Sequence, residues 1–235
     1  MLDYGSGCEI GRSFLFLKRG GLTSQHALVI LLHGATGLAD SFLQGETNNF
    51  VTLLTSQGFS AIIPSARQTF ARGTSGFPRW ESESAGKDDS KFFQYLISVL
   101  VPSYNQQNSG DTIDKVFILG GSSGAVMASR AALEVEGVAG IVMQNGVSAT
   151  QARLVNDVLV LDGPISVPNN HPPTLLVSST IDSILPLANK TAFYNALVAH
   201  SIPAQHLIHP SGSHDWNTWT AEYHQTIINW MKSLL

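Results

Sequence analysis

The stretch Lys115-Val116-Phe117-Ile118-Leu119-Gly120-Gly121-Ser122-Ser123-Gly124-Ala125 decides how this chain is read. Its first part is apolar and β-prone, and it predicts a buried strand over 115–119. The small residues from Gly120 to Gly124 force a tight turn, and Ala125 to Glu134 continues as a helix of small side chains. A serine at the apex of such a strand–turn–helix junction is held in a strained backbone geometry, its hydroxyl lifted clear of the sheet edge. Glycines two positions before and two after it are required where the flanking backbones pass too closely for a Cβ. The helix start also points free N–H groups and a positive dipole end at any anionic charge that develops there. An ordinary Gly/Ser turn and a phosphate loop are the competing readings. The phosphate loop fits poorly, because no Gly-Lys-Ser/Thr occurs and Ser122 stands where a dinucleotide fingerprint needs glycine.

Outward from this turn, short β-prone runs alternate with helical-period segments. Strands are expected at Arg12–Lys18 (an opening edge), Leu28–Leu32, Ser60–Ile63, Val138–Met143, Thr174–Ser178 and Gln205–Ile208. Helices are expected at Asn49–Gln57, Asp88–Val101, Leu187–His200 and Thr218–Leu235. This alternation predicts an α/β class, a mainly parallel central sheet with helices on both faces, over a single domain of residues 1–235. Two segments fit neither period: the Gly-rich Ser65–Gly86 loop, with Phe77 and Trp80, and the irregular stretch Gln144–Pro173.

Composition excludes several classes. Hydrophobic residues make up 43% and charged residues 13%, so a sizeable core forms and disorder is not expected. A formal charge of −4 leaves no basic footprint for nucleic acid. The longest apolar run, Ala27 to Leu32, is far too short to span a bilayer. The expected partner is therefore a small molecule, and nothing in the pattern speaks to an oligomeric state. The lone cysteine, Cys8, rules out an internal disulfide. A cytoplasmic location is expected, with secretion after removal of a signal peptide as the alternative.

The chain has eight histidines, and His214 stands out. It lies in Ser211-Gly212-Ser213-His214-Asp215-Trp216, a wet, small-residue loop past the last expected strand, which suits an imidazole that shuttles protons near neutral pH. His33 reads as a residue that bonds loop backbone, and His206 and His209 as strand residues. A metal site from His206, His209 and His214 lacks ligand spacing and supporting carboxylates, so no metal is expected.

Together, the Gly120–Gly124 motif, its place after a mid-chain strand and the downstream order serine, aspartate, histidine resemble the α/β-hydrolase superfamily. Leu31-Leu32-His33-Gly34-Ala35-Thr36 is similar to the strand-end His-Gly segment of its compact serine esterases, the polyhydroxybutyrate depolymerase-like and feruloyl esterase-like carboxylesterases. The resemblance implies an α/β-hydrolase fold with no large lid. It implies Ser122 as nucleophile, His214 as base and Asp182 as the orienting acid, since Asp182 follows the penultimate strand ahead of an Ile184-Leu185-Pro186 turn. Asp162 and Asp157 are the runners-up for the acid. The backbone N–H groups of Ala35 and Ser123 become the oxyanion hole, where each preorganised donor is worth about 3 kcal/mol.

Cleavage of carboxylic esters of small, short-chain or aromatic acyl groups through an acyl-enzyme then follows, with no cofactor. The alternatives are a serine peptidase or thioesterase using the same triad, or a catalytically silent ligand-binding protein. Substrate contacts are expected from Trp80, Trp216, Phe77 and the Gln144–Pro173 stretch, with packing as the equal alternative for each aromatic, Trp80 included. Two features depart from the family pattern: Ala125 follows Gly124 where a further glycine is usual, and no disulfide is possible.

Overall fold

A computed structural model describes residues 14–19, 25–35, 37–66, 87–155 and 158–235, together with Arg12 and Trp80. Its centre is a sheet of seven strands in the order β1-β3-β2-β4-β5-β8-β9. These are β1 (Phe14–Leu17), β2 (Gln25–Leu32), β3 (Phe59–Pro64), β4 (Thr112–Gly121), β5 (Val138–Gln144), β8 (Thr174–Ser179) and β9 (Ala204–His209). Only β1 runs antiparallel, pairing with β3, and every other neighbour is parallel. Each expected strand is present, extended by a residue or more at one or both ends, apart from β1, which is shorter than the expected Arg12–Lys18.

Period-two alternation explains why these central strands read as continuous apolar runs. In β2, Leu28, Ile30 and Leu32 enter one core cluster while Ala27, Val29 and Leu31 enter the other. Strand β4 divides in the same way, Val116 and Ile118 against Phe117 and Leu119. A strand buried on both faces has no polar side to show. One face is covered by α1 (Gly45–Ser56) and α6 (Ala221–Lys232), through Phe50, Leu54, Ile227 and Met231. The other is covered by α2 (Asp88–Tyr95), α3 (Val101–Gln107), α4 (Ser123–Glu134) and α5 (Leu187–Ala199), through Phe93, Val101, Ala128 and Phe193.

Two departures from the sequence expectation have local causes. The helix from Asp88 does not stop at Val101: it widens over Leu96–Leu100 into a π turn and runs on to Gln107. The Val101 N–H reaches back five residues to the Leu96 carbonyl, and Pro102, which has no N–H to give, follows directly. The stretch from Gln144 to Pro173 is not wholly irregular, because it folds an antiparallel hairpin of β6 (Ala152–Val155) and β7 (Val158–Leu161). Ala152 joins a small cluster with Val126 of α4 and Leu185, and Leu161 packs against it.

The sheet order sets the position of the site. From β2 the chain continues to β3 on one side and from β4 to β5 on the other, so the connections leaving the paired carboxyl ends of β2 and β4 run to opposite sides and open a crevice above them.

Burial also sets an acid limit on the fold. His33, His171 and His224 are 3%, 4% and 1% exposed. Burial pushes each imidazole below the ordinary value of 6.5, against an opposing hydrogen bond at His33 and His171 and the Glu46 carboxylate near His224. The native state then holds these rings neutral while the unfolded chain takes up protons, so stability falls as pH drops below about 6.5. His224 stacks on Trp216 and meets Phe50 edge-on, and its Nε2 has no hydrogen-bond partner. His224→Phe should therefore fold and remove up to about 1.4 kcal/mol per pH unit from the slope between pH 6.5 and 5. Urea unfolding at several pH values measures this slope.

Candidate active site

Ser122 sits between β4 and α4 with φ 53 and ψ −121, a left-handed backbone that L-residues rarely adopt. The packing around it explains the glycines. A Cβ on Gly120 would run into the Gly124 carbonyl and come within 2.6 Å of the Ala125 nitrogen. A Cβ on Gly124 would meet the carbonyls of Leu32 and His33 at the end of β2. Turn, helix start and neighbouring strand are thus in backbone contact. Ala125 is accommodated against Gly146, where an added Cβ would collide with the alanine methyl.

Over this turn lies a cavity of about 760 Å³. Ser122, His214 and Ala35 line it, as do Phe42, Gln144 and Trp216. His214 Nε2 is 2.8 Å from Ser122 Oγ, and its Nδ1 is 2.9 Å from Asp182 Oδ1. The carboxylate can only accept, so Nδ1 carries the proton and Nε2 is left to receive the serine hydroxyl. Asp182, 9% exposed, stays ionised: burial works to raise its pKa, but donors from Lys190, the Leu185 N–H, His214 and the Ile184 N–H outweigh it and hold it below the usual carboxylate value. Oδ1 accepts the N–H groups of Ile184 and Leu185 at 2.9 and 3.0 Å, and Oδ2 accepts Lys190 Nζ at 2.5 Å.

The other expected residues separate clearly. Asp162 lies on the hairpin in an exposed pair with Arg153 and does not approach His214. Asp157 and Phe77 fall outside the described residues. Ala35 is an exposed turn residue three positions past the end of β2, and Ser123 opens α4. Trp216 lies on the cavity wall, 8% exposed, with Phe50 edge-on at 5.2 Å. Trp80 is not at the cavity. It is 1% exposed, its ring centroid 4.8 Å from that of His33, and its Nε1 donates to the His33 carbonyl at 2.7 Å. A large apolar ring gains more from this core position than from a wet wall. Among the described residues of the Gln144–Pro173 stretch, only Gln144 lines the cavity.

Of the other histidines, His33 and His209 hold loop backbone. His33 Nε2 accepts the Ala66 N–H at 2.9 Å, which leaves its Nδ1 proton for the Gly34 carbonyl at 2.7 Å. His209 Nδ1 accepts the N–H groups of Ser211 and Gly212 at 3.1 and 2.8 Å and so shapes the approach to His214. His206 contacts Ser178 Oγ at 2.9 Å. Among the described residues no group of three or more His, Cys, Asp or Glu is placed to hold a metal ion.

Two residues at this site escaped the sequence reading. Asn145, fully buried with φ 48, joins three segments through one amide. Its Oδ1 accepts the Ser179 N–H at 3.0 Å and Lys190 Nζ at 3.2 Å, while Nδ2 donates to the Ser213 and His214 carbonyls at 2.9 and 3.3 Å. Asn-Gly directly after a strand was its signal, since asparagine tolerates left-handed backbone. Lys190 is fully buried on α5. Its signal was a lysine on the stripe that Phe193 and Leu197 continue toward the core.

No protein-family model matches this sequence. The sequence is 24% identical over 168 residues to a poly(3-hydroxyoctanoate) depolymerase of Pseudomonas fluorescens, covering 69% of this chain and 56% of the depolymerase. The chain thus spans little more than half the length of that relative. Its structure resembles a Bacillus cereus carboxylesterase (TM-score 0.64, 15% identity, 95% of each chain). It also resembles a ferulic acid esterase of Anaeromyces mucronatus in complex with ferulic acid (TM-score 0.65, 17% identity, 94% of this chain and 85% of that one). This is the α/β-hydrolase fold. A third likeness, to a Pyrococcus horikoshii acylaminoacyl peptidase, has a TM-score of 0.66 at 15% identity and covers 95% of this chain but 39% of the peptidase. Among the described residues of this hydrolase fold, no helix is long and apolar enough to cross a membrane.

Asn145→Ala should cost about 3 kcal/mol or more, because it unpairs several buried groups and puts alanine at positive φ. Asn145→Gly removes the strain but not the lost bonds, so urea unfolding should rank wild type well above glycine and glycine above alanine.

Proposed function

We propose that this chain is a serine esterase that cleaves carboxylic esters of short-chain or aromatic acids by acyl transfer. The observation that carries this reading is the hydrogen-bonded relay from Ser122 Oγ through His214 to Asp182, at 2.8 and 2.9 Å, in the wall of an open cavity. His214 takes the proton from Ser122 as its oxygen attacks the ester carbonyl. Asp182 holds the imidazole in the tautomer that makes this possible and stabilises the imidazolium. The N–H groups of Ala35 and Ser123 serve as oxyanion donors, the latter among the first amides of α4, which have no partner within the helix. His214 then protonates the leaving alcohol, and water attacks the acyl-enzyme with the same histidine as base.

The acyl group lies against Trp216 and Phe42, with Ile181 and Ile184, 58% and 61% exposed, at the rim. The similarity to a ferulic acid esterase supports an aromatic acyl group, and the similarity to a depolymerase supports an ester bond. Cavity walls that end at an exposed rim limit the gain from each added methylene, about 0.8 kcal/mol while buried.

Ser122→Ala should abolish both turnover of nitrophenyl esters and labelling by a fluorophosphonate, whereas Ser123→Ala keeps most of each. Asp182→Asn should lose about 10⁴-fold in kcat with the fold intact. Across nitrophenyl esters, kcat/KM should peak at acyl chains of about C2 to C6, without a rise when substrate forms an emulsion. The matching nitroanilides should be poor substrates. An active Ser122→Ala, or rates still climbing at C12, contradicts the reading.

A further inference from the structure

The mechanism proposed above has no use for Lys190, yet among the described residues this lysine is the most deeply placed cation near it. Its side chain and that of Asp182 are both 0% exposed. Nζ sits 2.5 Å from Asp182 Oδ2, while the other oxygen, Oδ1, faces His214 Nδ1 at 2.9 Å. One carboxylate therefore bridges a buried ammonium and the catalytic imidazole. Asn145 Oδ1 is the second acceptor for Nζ at 3.2 Å, and its Nδ2 reaches the carbonyls of Ser213 and His214. A lysine needed only to fill space on α5 would be replaced at less cost by leucine or methionine, because burying an ion pair costs several kcal/mol in lost hydration.

We propose that Lys190 is a positioning residue that sets the working pH of this site, by neutralising Asp182 so that protonating His214 leaves a buried net positive charge. This inference rests on the Ser122–His214–Asp182 reading. With Lys190 present, the resting group of Asp182 carboxylate, Lys190 ammonium and neutral imidazole carries no net charge. It is again neutral in the transition state, when imidazolium and oxyanion appear together. An imidazolium without an oxyanion, the inactive acid form, alone leaves a net charge of one. Without Lys190 the resting site would be an anion, which invites a proton onto His214 and opposes the oxyanion.

Among the described residues, the remaining groups around the imidazole do not supply this effect. Ser122 from the β4–α4 turn and Asn145 after β5 are neutral. Asp215, next in the loop, is exposed, so water screens it. His206 on β9 feels the same ammonium: burial first and then the Lys190 charge push its pKa down, so it adds no competing cation. His209 is engaged by the Ser211 and Gly212 amides.

The test is the pH dependence of kcat/KM on a short nitrophenyl ester for wild type, Lys190→Met and Lys190→Arg. The wild-type acid limb is the reference against which both variants are read. Lys190→Met should lower the plateau, since Asp182 loses an anchor, and should also move the acid limb up by about one pH unit, as a unit charge within two hydrogen bonds does in a partly buried site. Lys190→Arg, which keeps the charge, should leave the limb in place. A folded Lys190→Met whose limb coincides with that of wild type would overturn the proposal and leave the lysine a packing element. If the methionine variant does not fold, Lys190→Gln, which also removes the charge, takes its place, and an acid limb that coincides with that of wild type overturns the proposal. Ser122→Ala run alongside separates the two inferences: activity surviving in Ser122→Ala removes the triad itself, whereas a dead Ser122→Ala with an unmoved Lys190→Met limb removes only the role of Lys190.

Discussion

The backbone contact between the Ser122 turn and the end of β2 is the constraint on which the site depends. Gly120 lies against Gly124, and Gly124 against the carbonyls of Leu32 and His33, with no room for a side chain at either position. That contact holds Ser122 at φ 53, a conformation the turn would not keep on its own. It also brings the start of α4 against the end of β2. The cost of the strained residue is carried by the surrounding sheet, where β2 and β4 are buried on both faces.

A second requirement is to bring His214 and Asp182 to this serine from loops that have no regular structure. Polar side chains do this. The Asp182 carboxylate closes on the amides of Ile184 and Leu185, His209 accepts the amides ahead of His214, and Asn145 bonds the Ser213 and His214 carbonyls. A loop tied at several points loses less freedom when substrate binds, which is what preorganisation means in energetic terms. The helix α5 contributes through Lys190, which balances the buried carboxylate that α5 itself follows in the chain.

The fold was largely legible because its central strands are buried on both faces, and such burial leaves uninterrupted apolar runs. Ser122 and its glycines were legible because a steric demand at one point leaves a mark at fixed offsets. Asn145 and Lys190 were not, since their bond to each other joins positions 45 residues apart, and a local pattern carries no trace of such a partner. Trp80 misled for a related reason. In a Gly-rich sequence nothing periodic says which way a ring faces, and it is the packing of His33 and Phe93 against it that places it in the core. The hairpin within the Gln144–Pro173 stretch was hidden by short strands that pair only with each other.

The central claim is that Ser122 becomes acylated. Rapid acid quenching during turnover of a nitrophenyl ester, followed by peptide mass spectrometry, would locate the acyl group. The account predicts a single acyl adduct on the peptide containing Ser122, with fragment ions that place it on Ser122 and not on Ser123. An adduct on another residue, or steady turnover with no trapped acyl-enzyme even under conditions that slow deacylation, would contradict it.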